Sequence, residues 1–66
     1  MKSKKSKDYS SLIGKIAITN TDLHPYGTVI IDDEIYEVEA VEGFIEAGRG
    51  VRVTIVRGKK IFVRRV

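Results

Sequence analysis

The chain has no cysteine, so neither a disulfide nor a thiolate metal site can brace it. It has no tryptophan, one proline and one histidine. A single histidine without cysteine cannot build a zinc centre, and His24 reads as a turn residue ahead of Pro25. Nowhere does an apolar run approach the roughly 18–20 residues needed to span a bilayer. Met1–Ser11 has no apolar stretch of the signal-peptide kind, so the chain as given reads as soluble. Acidic residues are missing from the C-terminal stretch: from Arg49 onward there are seven basic side chains and no acid. With 66 residues there is room for one domain and a small core.

The net charge of +3 comes from one end. Lys2, Lys4, Lys5 and Lys7 against Asp8 supply all of it, while residues 12–66 carry eight basic and eight acidic side chains. Every acid of that body lies between Asp22 and Glu46, where there is no Lys or Arg. The folded body is therefore not a general polyanion binder. Residues 1–11 (MKSKKSKDYSS) are polar and nearly free of apolar side chains. They are expected to form a disordered basic linker or tail that a cytoplasmic, anionic membrane surface would attract.

From Leu12 the pattern turns to strands. Gly14–Thr21, Thr28–Ile31, Ile35–Val41, Val51–Arg57 and Lys60–Val66 are short and rich in β-branched residues. Between the first two, Asp22–Gly27 reads as a turn in which Pro25 presets φ and Gly27 permits positive φ. Asp32-Asp33-Glu34 and Gly58-Lys59 read as tight hairpin turns. Glu42–Gly50 is too short and glycine-rich for more than a single helical turn, with Phe44 and Ile45 expected to plug the barrel end. Five strands with a long connection between the third and fourth predict an all-β, five-stranded OB-fold closed barrel over residues 12–66; an SH3-like barrel is the runner-up. The predicted interior is Ile18, Val29, Ile31, Val38, Val51, Val53, Ile61 and Val63. In such a barrel the third strand lies beside the fifth, so Glu37 and Glu39 are expected to face Lys60 and Arg64.

Chemistry is absent from the pattern. The acids Asp32-Asp33-Glu34 lack the spacing of a calcium loop. Ser3, Ser6, Ser10 and Ser11 have no neighbouring base, so no nucleophile can be assembled, and Gly48-Arg49-Gly50 is no phosphate loop. No catalytic residue, cofactor site or metal site is predicted. A stand-alone OB-fold binder of single-stranded nucleic acid is the alternative function. It is weakened by the acidic second and third strands and by the lack of an aromatic cluster, with only Tyr26 and Phe62 as platforms. Ile16, Ile30, Ile35 and Phe62 alternate away from the core, and Ile30, Ile35 and Phe62 are the candidate protein-contact residues.

Three segments together resemble the C-terminal soluble domain of the NfeD family: Gly14–Gly27 (GKIAITNTDLHPYG), Ile31–Val38 (IDDEIYEV) and Gly43–Val53 (GFIEAGRGVRV). The family pattern is a glycine-led strand, a T-D-L-R-P-x-G turn, an I-D-G-E-x-Y-D hairpin, then F-I-x-x-G and V-x-V. Here His24 stands where Arg is usual, and Asp33 where Gly is usual, which implies a different turn type. The resemblance implies an OB-fold barrel tethered behind transmembrane helices, and the basic tail, as a positive flank, is expected to lie on the cytoplasmic side. The resemblance also implies a non-enzymatic role as partner to a stomatin- or flotillin-like membrane scaffold, whose assembly or regulation it assists; the outward apolar residues add self-association with a neighbouring copy as a further expectation. Longer relatives carry a Ser-Lys membrane protease, of which this sequence holds no part.

Overall fold

The computed structural model describes residues 9–66. A 3₁₀ turn, Tyr9–Leu12, leads into five strands: β1 Ile16–Thr19, β2 Tyr26–Ile31, β3 Glu34–Ala40, β4 Gly50–Arg57 and β5 Lys60–Arg65. They close in the order β1-β2-β3-β5-β4. All neighbours are antiparallel except β3 and β5, which run parallel, as the predicted topology requires. The expected basic tail divides here: residues 9–11 belong to the described structure, and residues 1–8 lie outside it. Tyr9 packs edge-on to Tyr36, ring centroids 5.8 Å apart, and Leu12 is buried.

The interior holds seven of the eight predicted residues: Val29, Ile31, Val38, Val51, Val53, Ile61 and Val63. Ile18 is the exception, at 49% exposed. It pairs in unbroken register with Gly50, as Ile16 does with Arg52, and residues two apart on an unbulged strand share a face. Ala17 and Thr19 point inward instead. Thr19 is buried yet satisfied: its hydroxyl donates to the Glu46 carbonyl at 2.6 Å and accepts from the Arg49 N–H at 2.8 Å. Replacing Thr19 with Val keeps the shape but strands both groups. A loss of about 1–3 kcal/mol in unfolding free energy is expected, measured by urea titration. No loss would show that water serves Glu46 and Arg49 equally well.

The turns hold three surprises. Gly27 does not take positive φ; it lies inside β2, where the main chain of Asp22 passes too close for any side chain. Asp32 and Asp33 both adopt positive φ, 51° and 68°, so the hairpin keeps the two-residue turn with positive φ at both centres, without glycine. Residues 42–50 contain no helical turn. The chain there is pinned by two-way main-chain bonds between Leu23 and Ile45, at 2.8 and 3.0 Å. Ile45 plugs the barrel end with Leu23, both fully buried, but Phe44 is 49% exposed and rests edge-on against the ring of His24. The expected pairing of acidic β3 with basic β5 does not form. Glu39 registers with Phe62, and among the described residues the ion pairs join Lys15 to Asp32 and Arg49 to Glu46.

Candidate functional site

The outer wall of β1, β2 and β3 carries a row of isoleucines. Ile18 pairs with Ile30 across β1–β2, and Ile30 pairs with Ile35 across β2–β3. Alternation and register thus place three large aliphatic side chains side by side on the outer face, perpendicular to the strands. Ile30 is 38% exposed and Ile35 64%. The carbonyl of Thr28 accepts from Asn20 on the β1 side, so the main-chain groups of Ile30 also face β1. The Ile30–Ile35 pair is then of the narrow, non-hydrogen-bonded kind, whose side chains approach most closely. Exposed Ile16 extends the patch along β1, opposite Arg52.

Of the three predicted contact residues, the structure unites Ile30 with Ile35 and separates Phe62. Phe62 is half-buried on β5, between Glu39 of β3 and Ile55 of β4. Glu39 is four residues from Ile35, roughly 13 Å along the strand at about 3.3 Å per residue. Sequence reasoning missed Ile18, although its parity with Ile16 signalled an outward face. It also missed Ile55. A register shift between Val53 and Ile55 turns Ile55 outward, where plain alternation from Val51 and Val53 would bury it.

Beside this wall lies a cleft of about 460 Å³ between the β2–β3 sheet and the β4–β5 hairpin. Tyr26, Thr28, Glu37 and Glu39 form one bank, and Lys59 and Lys60 the other. Of the two strands expected to be acidic only β3 is, through Glu37 and Glu39 on this bank; β2, Tyr26–Ile31, holds no acid. Among the described residues, no three His, Cys, Asp or Glu side chains are grouped as metal ligands would be.

A family model for the NfeD-like C-terminal, partner-binding domain matches residues 9–65. The chain belongs to the NfeD family. It is 46% identical over 57 residues to membrane protein NfeD1b of Bacillus subtilis strain 168, covering 86% of this chain and 13% of that protein. The chain therefore spans about one eighth of that relative's length. The C-terminal domain of the stomatin operon partner protein 1510-C from Pyrococcus horikoshii superposes with a TM-score of 0.80 at 29% identity, covering 86% of this chain and 91% of that one. The soluble domain of a Corynebacterium glutamicum membrane protein implicated in regulation of membrane protease activity shares the fold. Its TM-score is 0.79 at 21% identity, covering 89% of this chain and all of that one. Among the described residues no helix is long and apolar enough to cross a membrane. The five-stranded barrel is thus that of the NfeD C-terminal domain, OB-like in strand order, and the domain is one described as partner-binding.

Proposed function

We propose that this NfeD domain is a non-catalytic docking module that holds a stomatin- or flotillin-like membrane scaffold through the Ile18–Ile30–Ile35 wall. Docked there, the domain helps to assemble or regulate that scaffold at the cytoplasmic face of the membrane. The observation that carries it is the contiguous isoleucine row across three strands of a domain this small. Scattered exposed aliphatics are ordinary, whereas a continuous exposed patch is the kind of surface that marks a protein contact, which supports this reading. The family description as partner-binding and the likeness to a stomatin operon partner support the choice of partner. Phe62, with Ile55, forms a separate and smaller apolar spot that the main contact does not need.

The test replaces Ile18 and Ile35 with Ser and compares co-purification with a stomatin-like protein against the parent and against Phe62→Ser. Because both isoleucines are about half exposed or more, each substitution should cost about 1 kcal/mol or less, through lost strand propensity and cross-strand contact, and should leave the fold intact. Partner affinity should fall about tenfold or more, the loss typical of a removed anchor residue. Undiminished binding in the double variant, or a larger loss from Phe62→Ser, would transfer the contact elsewhere on the barrel.

A further inference from the structure

The barrel is closed, but the β3–β5 seam is short. Its ladder covers only Glu39 with Phe62 and Ala40 with Val63. The main-chain directions on β3 follow from two hydrogen bonds. The Ala40 N–H donates to the Pro25 carbonyl, on the β2 side, and the Val41 N–H donates to the Val63 carbonyl, on the β5 side. Alternation then turns the N–H and C=O groups of Ile35 and Glu37 toward β5. There β5 has already diverged, and among the described residues neither β5 nor the Gly58-Lys59 turn bonds them. What opens instead is the Tyr26–Lys60 cleft, continuous through Glu37, Lys59 and Ile61 with a second hollow beneath Tyr9, Ile35 and Tyr36.

We infer that the open edge of β3 at Ile35 and Glu37 captures an extended segment of a partner protein as an added strand in this cleft. Unpaired strand edges recognise extended peptides through main-chain bonds, and alternate side chains give the specificity. Neither a lipid nor a nucleic acid offers the matching ladder of N–H and C=O groups. Pairing with a second copy of this edge is opposed, because it would bring the two Glu37 carboxylates opposite or diagonal to each other on one face, and like charges so placed destabilise a pair. The occupant is therefore a different sequence, whose side chains the edge specifies. A residue opposite Ile35 points outward and extends the isoleucine row by one, so it is aliphatic. The next points inward to Tyr36 and Ile61 and is also apolar. The third points outward beside Glu37 and is basic. Lys59 and Lys60 stand on the far bank at a turn, where long flexible side chains can swing into solvent, whereas Glu37 is fixed on the strand. The segment read is thus apolar–apolar–basic in extended form.

This deepens the docking proposal by naming how a partner is held, yet it stands on the main chain of β3 and survives if the isoleucine wall proves idle. The probe is a capped seven-residue peptide of sequence serine-threonine-isoleucine-valine-lysine-threonine-serine, titrated into the whole chain and followed by amide NMR. Saturable shifts and slowed hydrogen exchange are expected at Ile35 and Glu37. Methylating the two peptide nitrogens that face β3 should weaken binding at least tenfold, and replacing the peptide lysine with glutamate at least threefold. Ile18→Ser should leave these shifts unchanged, which separates this inference from the wall contact. Four results would overturn it: no saturable shift at millimolar peptide, indifference to methylation, preference for the glutamate peptide, or shifts confined to the Ile18–Ile30 wall. Amides of Ile35 and Glu37 already protected in the free chain, and released on deleting residues 1–8, would assign the edge to the chain's own basic segment and equally end the partner version.

Discussion

Gly27→Ala is expected to be among the most damaging single substitutions in this domain, costing about 3 kcal/mol or more, at the upper end for overpacking. An added Cβ would meet Leu23 Cδ2 at 2.6 Å and Thr21 Oγ1 at 2.8 Å, and would press still harder on the Asp22 carbonyl. A flexible side-chain tip could move, but the Asp22 main chain cannot. Leu23 beside it is bonded both ways to Ile45, the Asp22 carboxylate accepts the Ala47 N–H at 2.9 Å, and the Thr21 hydroxyl accepts the Thr28 N–H at 3.0 Å. Moving the Asp22 segment away would break all three ties together. In a domain of this size about 3 kcal/mol corresponds to a melting temperature lower by roughly 12–24 °C. Thermal unfolding followed by circular dichroism measures it. Gly58 provides the contrast: it takes φ of 62° but has open space around its missing Cβ, so Gly58→Ala carries only the backbone strain, about 1–2 kcal/mol. If the two alanine variants melt together, close approach is not what requires glycine at position 27.

The second large effect separates two adjacent residues that the sequence treats alike. Ile45→Ala should cost about 2–5 kcal/mol, because it empties a site that Leu23 and the barrel end enclose completely. Phe44→Ala should cost less than about 1 kcal/mol despite removing a larger side chain. The phenyl ring is half in solvent and gives up mainly its edge contact with His24, whose centroid lies 5.5 Å away. Urea titrations of the two variants decide the matter. Equal losses would mean that Phe44 closes the barrel end after all.

These two cases mark where local reading stops. The alternation of Ile35–Ala40 and the β-branched runs at Val29–Ile31 and Val51–Val53 announce their buried faces, because a period of two survives any change of neighbour. The segments carrying the NfeD likeness were legible for the same reason: turn residues and strand spacing are local. Ile18 shares the parity of outward Ile16, but the half-exposed place of Phe44 is not legible, because being apolar does not say which way a loop residue faces. On β1 the inward places went to Ala17 and Thr19, the latter held by bonds to Glu46 and Arg49, 27 and 30 residues away. In the candidate site, Ile30 and Ile35 were readable as a pair, being equally spaced about the Asp32-Asp33 turn. Phe62 was grouped with them only because nothing in its own strand tells which strand will lie beside it.

By itself, then, the sequence determined five strands, the places of the two hairpin turns, most of the interior and the family, all carried by patterns within a few residues. Tertiary structure decided what depends on how strands meet. Closure placed Ile18 beside Ile30, and the shift after Val53 turned Ile55 out to join Phe62. The passage of Asp22 over β2 made Gly27 a matter of space and not of φ. The early divergence of β5 from β3 left Ile35 and Glu37 with main-chain groups facing a cleft, since a seam ends where two strands separate, and no residue on either strand encodes that point alone.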